Sequence, residues 1–290
     1  MSDSLLSLRR KIGSADDLES VVRTMKALSA AQMVQLEAAV QSLEQYAQTV
    51  ELGLACWRLQ IGAGMPPQRA NPSAGVGALL FGSDQGLVGM FNESLLDFVQ
   101  TTMGQQPARY IAVGERMQTQ LLERGIEPVA SLPVPASLAA VTSLVGELLA
   151  IVEAERAAGR IGSLHLFHNR PLGGTLYEHR QLQLLPLGEA WRQRPPRWPS
   201  GQIPQPIDGE TATLRALIGE HLFIALFRAA AESMASENAS RLAAMQRAEK
   251  NIDELLDTLK RSYHQLRQND IDCELFDVLA GFEALHDVRG

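Results

Sequence analysis

The chain is short of the residues that cross-link or break a fold. Only two of its 290 residues are cysteine, Cys56 and Cys273, and they lie far apart without a CxxC or Cys/His spacing. Neither a zinc site nor a disulfide framework is indicated, and both read as small apolar residues. No proline follows Pro206, and Gly219 is the only glycine between Gly209 and Gly281. Positive charge is also scarce: 26 Lys and Arg face 33 Asp and Glu, for a net charge of −7 and an isoelectric point near 5.4. The one basic run is Arg9-Arg10-Lys11, so no nucleic-acid partner is expected. No stretch approaches the roughly 18 uncharged apolar residues that a membrane span needs. The N-terminus has neither a signal-peptide apolar core nor an acid-poor transit character. The expectation is a protein of a reducing, cytoplasm-like compartment without direct membrane insertion.

What is present is helix. From Asp208 to Leu285 the sequence reads as one very long helix. Apolar residues alternate at spacings of four and three through Ile252, Leu256, Leu259, Tyr263 and Leu266, and again through Leu275, Val278, Phe282 and Leu285. That is a coiled-coil seam. At 1.5 Å per residue such a helix would be on the order of 110 Å long. The alternative is two or three shorter helices, which the scarcity of glycine disfavours. Between Leu266 and Leu275 the heptad slips, which should unwind or end the pairing.

Met1 to about Trp57 forms a second long helix, capped by Ser4 or Ser2 and with a weak point at Gly13-Ser14. Its expected seam is Leu18, Val22, Met25, Leu36, Leu43, Tyr46 and Val50, with Ser29, Gln32 and Ala39 in the remaining positions. Small residues, Ala27, Ala30 and Ala31 here and Ala229, Ala230, Ala231, Ala235, Ala239, Ala243 and Ala244 in the last helix, would let two backbones approach closely. The two helices are therefore expected to pair antiparallel, with the C-terminal end of the longer one protruding unpaired.

Between them lie two Pro-rich linkers, Gly62 to Ser73 and Arg194 to Pro206, bracketing a domain of about residues 74 to 193. Strands at 76–81, 108–113, 128–132 and 163–168 alternate with helices at 90–103, 115–124 and 138–158, and 182–187 reads as an edge strand. This pattern implies a three-layer, mostly parallel sheet. The fold class is α/β: a long antiparallel coiled coil of terminal helices (1–60 and 208–290) plus a central Rossmann-like α/β domain (74–193).

The loop Gly82 to Gly89 stands where a phosphate-cradling turn would. Its spacing is not GxGxxG, and no Walker sequence occurs in the chain. The simpler reading is a tight turn in which Gly82, Gly86 and Gly89 relieve sterics and Asp84 caps. His165 and His168, three apart on a strand, point to opposite faces and cannot chelate together. Asn169 to Gly174 reads as a turn. No Ser/His/Asp, Cys/His or paired-carboxylate set can be assembled, so no catalytic residue, metal or cofactor is expected.

Three stretches resemble the gamma subunit of F-type ATP synthases: Leu8 to Ile12 through Thr24-Met25-Lys26-Ala27-Leu28-Ser29-Ala30-Ala31; Gly82-Ser83-Asp84-Gln85-Gly86-Leu87 with Phe91-Asn92; and Ser236 to Met245, continued by Arg267 to Leu275. The resemblance covers essentially the whole chain. It implies a non-catalytic rotor shaft passing through a ring of alternating alpha and beta subunits, with the α/β domain near the epsilon subunit and the membrane c-ring. It places the protein, peripheral, on the cytoplasmic face of a bacterial inner membrane. By position, Arg267 and Gln268 match a pair contacting a beta-subunit loop, and Met25 and Lys26 match residues near beta's acidic lever. Leu275, Val278, Leu279, Phe282 and Leu285 would be the bearing tip.

The chain also departs from that pattern. Gln85 and Val88-Gly89-Met90 replace the usual Arg and Cys-Gly-Gly, and Asp272 replaces the usual Thr. Phe282-Glu283 stands where small residues are usual, and Asp270, Asp272, Glu274 and Asp277 make the region acidic. These departures point to a divergent or second-copy bacterial form with an altered beta partner. The competing class is a soluble dinucleotide-binding α/β enzyme with a helical dimerisation arm. A third is a purely structural coiled-coil scaffold.

Overall fold

The computed structural model describes residues 4–61, 74–104, 106, 108–187 and 209–287, with the side chains of 58–61, 210 and 281–287 left out. The two linkers expected from proline content, the Ser2 cap, and the side chains of Phe282 and Leu285 lie outside the described residues. The elements are α1 (Leu5–Ile61), β1 (Gly75–Phe81), α2 (Phe91–Met103), β2 (Ala108–Val113), α3 (Glu115–Glu123), β3 (Ala130–Leu132), α4 (Leu138–Ala157), β4 (Ile161–Gly173), β5 (Leu176–Leu185) and α5 (Glu210–Asp287). They divide into two compact units, one of Met1–Leu28 with Ala243–Gly290 and one of Ser29–Leu242.

In the larger unit the sheet order is β3-β2-β1-β4-β5. The first four strands are parallel, and β5 runs antiparallel to β4. Alternation along the strands feeds two cores. Leu79, Ile111, Val113, Leu164 and Leu166 pack with Val145 and Leu148 of α4 and with Leu226 and Ala229 of α5. On the other face Leu80, Ala112 and Phe167 pack with Leu95 and Leu96 of α2 and with Met117 and Leu121 of α3. The three-layer arrangement expected from the sequence is what forms.

The last strands differ from that expectation. Asn169 to Gly173 continues β4 instead of turning, and the edge strand is Leu176–Leu185 in place of 182–187. The turn falls at Gly174-Thr175, where Gly173 and Gly174 both have positive φ. Pairing decides this: His168↔Arg180, Asn169↔His179 and Arg170↔Glu178 hold the longer hairpin in register, a tertiary effect that local turn signals miss.

Ser4 does cap α1, its Oγ accepting the Ser7 amide at 3.2 Å. The helix runs unbroken through Gly13-Ser14. Of the expected seam, Val22, Ser29, Leu36 and Val50 are buried and Leu43 is half-buried, and Leu8 and Ala15, outside the expected seam, continue that row at heptad spacing. In the other row Met25, Gln32 and Ala39 are half-buried, while Leu18 is 56% and Tyr46 45% exposed. Val40, Ala47 and Leu54, four residues on from the buried row, pack as well. In this unit α1 and α5 run antiparallel, because Leu36 packs on Ala231 and Ala235 while Val50 and Leu54, further along, pack on the earlier Ile224. Ala27 and Ala31 lie on the exposed face of α1 and Ala30 is half-buried, so of the small residues expected to permit close approach the buried ones are Ala229, Ala230, Ala231, Ala235 and Ala239 of α5.

At the start of β2, Glu155 of α4 is 7% exposed and accepts Arg109 Nε at 2.5 Å and Arg160 at 2.7 Å. The Arg160 hydrogen bond is the chief reason its carboxyl falls to about 2, with Arg109 adding to it against the opposing effect of burial. A depressed carboxyl stabilises the fold above its ordinary value of 4.5 and loses that contribution as pH falls toward 2. Glu155→Gln should therefore lower the urea midpoint at pH 7 and differ less from the parent near pH 3.

Candidate functional site

Three features of the described structure bear on function: the seat of α5 on the sheet, the loop after β1, and the free end of α5.

From Leu222 to Arg241, α5 is buried or half-buried on every side. Three serines at helical spacing meet backbone carbonyls of the sheet and of the loop after β1. Ser233 Oγ lies 3.3 Å from Phe81 O at the end of β1, Ser236 Oγ 3.1 Å from Asn169 O within β4 and 2.8 Å from Glu232 O of its own helix, and Ser240 Oγ 2.5 Å from Val88 O in the loop. Small hydroxyl residues suit this place because they admit close packing while offering a donor to carbonyls that burial would otherwise strand. The buried charges are answered within the helix. Arg228 Nε donates to Glu232 at 2.9 Å, and Arg241 donates to Glu237 at 2.6 Å. Burial pushes the Glu237 carboxyl up, with Arg241 opposing and Asp84 adding to the rise. Glu232 also meets His168 Nε2 at 2.7 Å. Burial works to raise this carboxyl too, but the bonds from His168 and Arg228 outweigh it and hold it below the ordinary range. The sequence stretch Ser236 to Met245 carries this role without a local sign of its carbonyl partners. Its signal was serine and alanine at spacings of three and four.

The loop after β1 ties strands together. The Ser83 amide donates to Asn92 Oδ1 at 2.9 Å, and Asn92 Nδ2 returns a bond to Ser83 Oγ at 2.9 Å. Asp84 accepts the Glu115 amide, the first of α3, at 2.9 Å and the Val134 amide at 3.0 Å. It therefore caps a helix and anchors the exit of β3, where only a turn cap was expected. A Cβ on Gly82 would sit 2.5 Å from Met117 Cβ, so only glycine fits. Gly86 is under no such constraint, and the strained position is Leu87, with φ of +62° and an exposed side chain. Within the loop, the Gly82 and Ser83 amides are engaged inside the protein, by Val113 O and Asn92 Oδ1. His165 and His168 are likewise held separately, by Gln181 and Glu232.

In the smaller unit, Lys26 Nζ bonds Glu249 at 2.6 Å, with Arg23 at 3.8 Å from the same carboxylate. The Lys26 bond lowers the Glu249 carboxyl. Met25 and Lys26 are half-buried. The Lys26–Glu249 pair sets where the pairing must end. Leu5 starts α1 twenty-one residues before Lys26, and the residue twenty-one past Glu249 is Asp270. Ile252, Leu256, Leu259, Tyr263 and Leu266 are buried or half-buried, whereas every residue from Arg267 to Ala280 is exposed. Arg267 and Gln268 thus stand at the edge of the paired region. Leu275, Val278 and Leu279 are 64, 73 and 55% exposed, and Ile271 and Phe276 are exposed as well. At about 100° per residue these five cover an arc of roughly 160°. Cys56 is buried as expected, but Cys273 is exposed on this end. Among the described residues no helix is long and apolar enough to cross a membrane.

In the larger unit two long helices pair antiparallel beside a five-stranded, mostly parallel sheet. A family model described as ATP synthase matches residues 4–285, and the chain belongs to that family, among its gamma chains. The ATP synthase gamma chain of Anaeromyxobacter dehalogenans strain 2CP-C is 27% identical over 308 residues, covering 97% of this chain and 99% of that one. The gamma chain of Moorella thermoacetica is 26% identical, covering 96% and 98%. Among solved structures, a chain of the Euglena gracilis mitochondrial ATP synthase OSCP/F1/c-ring assembly is similar with a TM-score of 0.73 at 17% identity, over 99% of this chain and 96% of that one. A chain of the Tetrahymena thermophila central stalk and c-ring gives 0.56 at 16% identity, over 79% and 99%.

Asp84 yields a direct test. Asp84→Ala removes two charge-assisted bonds and should cost about 1.5–3 kcal/mol in denaturant unfolding, whereas Gln85→Ala should be close to neutral.

Proposed function

We propose that this chain is the central rotor shaft of a rotary F-type ATP synthase, coupling ion flow through a membrane sector to ATP synthesis or hydrolysis in an alpha/beta hexamer. It acts without catalysing the reaction itself. The observation that carries the reading is the end of α5. An apolar arc of roughly 160° is wider than the two-position seam of a coiled-coil dimer, and the helix's own partner stops short of it. A surface of that kind fits a partner that surrounds it. The structures similar to this chain come from a rotor, a central stalk and a c-ring assembly. That supports alpha, beta and c-ring as partners here, with epsilon against the α/β domain.

The mechanical division is helix 1–60, α/β domain 74–193 and helix 208–290. Torque enters through the sheet domain, whose backbone carbonyls at Phe81, Asn169 and Val88 meet α5 at Ser233, Ser236 and Ser240. It leaves where Arg267 and Gln268 meet a beta-subunit loop. Met25 and Lys26 contribute beside beta's acidic lever, and Lys26 does so in competition with Glu249. Leu275, Val278, Leu279, Phe282 and Leu285 turn in the bearing. The protein works from the cytoplasmic face of a bacterial inner membrane, held there by its complex.

Co-expression with the alpha and beta subunits of the same organism tests the reading. Co-elution at one copy per hexamer, with turnover that depends on this chain, is expected, and a chain eluting alone as a compact oligomer would overturn it. In that complex the double change Arg267→Ala and Gln268→Ala should lower ATPase turnover while leaving the helix content intact; an unchanged rate removes the pair from the mechanism. Truncation after Leu275 should weaken assembly more than coupling, read by the yield of complex and by proton pumping per ATP. Full loss of coupling at normal yield would contradict the bearing role.

A further inference from the structure

Between the β4–β5 hairpin and α5 lies a cavity of about 260 Å³ whose residues the shaft function does not use. Its lining combines apolar Leu182, Ala225 and Ala229 with Arg170, Arg180 and Arg228 from three different elements. Each guanidinium is only partly engaged. Arg228 bonds Glu232 through Nε at 2.9 Å, and Arg180 bonds Glu178 through Nε at 2.9 Å. Arg170 has carboxylates only at 3.9 and 4.0 Å, beyond hydrogen-bond reach. Among the described contacts, the terminal nitrogens of Arg180 and Arg228 have no partner. Three guanidiniums against the carboxylates of Glu178 and Glu232 leave one positive charge uncompensated.

Glu232 is spent: one oxygen takes Arg228 and the other His168. It fixes Arg228 with its terminal N–H groups turned away from the carboxylate. His168, 6% exposed, also lines the cavity and is held by Glu232.

We propose that this cavity binds a small soluble oxyanion of the phosphate class, gripped by the terminal N–H groups of Arg170, Arg180 and Arg228. Planar guanidinium forks match tetrahedral oxyanions in two-point contact, which ammonium groups do not. The Arg180–Glu178 pair is half-exposed on both sides, and pairs of that kind contribute little, so Arg180 re-aims at small cost. The apolar part of the lining leaves room for a short carbon skeleton, which favours a phosphate monoester over the bare ion. The site would give the sheet domain a way to sense a metabolite, since a bound anion clamps the hairpin to the helix that the strands grip.

The test uses the full chain, titrated with inorganic phosphate by calorimetry at an ionic strength held constant with potassium chloride. One saturable site per chain is expected, weakened about tenfold in Arg170→Gln and in Arg180→Gln, the scale of one charge-assisted bond. Neither change removes a buried contact, and far-UV circular dichroism checks that both variants keep the parent fold. Absence of saturation, or equal affinity in parent and both variants, overturns the proposal. A second arm mixes the chain with phosphatidylcholine vesicles with and without phosphatidic acid. Arg170-dependent sedimentation with the acidic vesicles, without a phosphate response in solution, would also overturn it in favour of a lipid headgroup.

Discussion

The constraint on which this structure depends is that one stretch of one helix is enclosed on all sides. From Leu222 to Arg241, α5 lies against the sheet and α4 on one side and against α1 on the other. An enclosed helix cannot sort its residues into a wet face and a dry face. Its side chains must be small enough for two neighbours to approach, and its polar groups must find partners nearby. Alanine answers the first demand and serine both. The charges are paired four residues apart, Arg228 with Glu232 and Arg241 with Glu237. Removing such pairs from water costs about as much as their attraction returns, so they add little net stability. The rotational setting comes from the contacts α5 makes to other elements, Ser233 to Phe81, Ser236 to Asn169, Ser240 to Val88 and Glu232 to His168. A rotation of α5 by one position would carry Ser236 and Ser240 away from their carbonyls and leave Glu232 without His168.

Enclosure in one unit and exposure in the other are two conditions of the same helix. In the smaller unit the seam residues Ile252, Leu256, Leu259, Tyr263 and Leu266 are covered, and from Arg267 onward nothing is. The change coincides with the heptad slip after Leu266 and with the point at which α1 runs out. Either would end the pairing, and together they end it abruptly. A helix pair of equal length would have hidden the apolar residues that follow.

How much of this was legible follows from where the information resides. Both long helices were readable because absence of proline and glycine is a local property. So was the parallel sheet, from strands alternating with helices. The α1 seam was half readable. The row through Val22, Leu36 and Val50 is apolar in the sequence and buried in the structure. Its companion row is only partly covered: Met25, Gln32 and Ala39 are half-buried, but Leu18 and Tyr46 look like seam residues and are exposed, Tyr46 reaching Glu220 with its hydroxyl at 2.8 Å. Spacings of three and four are equally apolar there, and only the partner helix decides between them. The β4–β5 hairpin was misplaced for a similar reason: Pro171 and Gly173 read as a turn, but cross-strand pairing carries β4 past them. The roles of Ser233, Ser236, Ser240 and Asp84 were invisible in detail, since each bonds a backbone group distant in sequence.

The acidity of the free end is best understood as the companion of its apolar arc. At about 100° per residue Asp270 and Asp277 fall outside the arc, Glu274 flanks it beside Val278, and Asp272 interrupts it. Carboxylates near the C-terminal end of a helix oppose its dipole, at a cost of up to about 1 kcal/mol each when exposed. A sequence that accepts this cost repeatedly gains something else by it. An exposed apolar helix surface would pair with another copy of itself, and like charge along its flank opposes that pairing at every register. The same charges would not hinder a sleeve that covers the arc and leaves the opposite flank in water or meets it with basic residues. The end of α5 is thus selected against its own kind as much as for its partner.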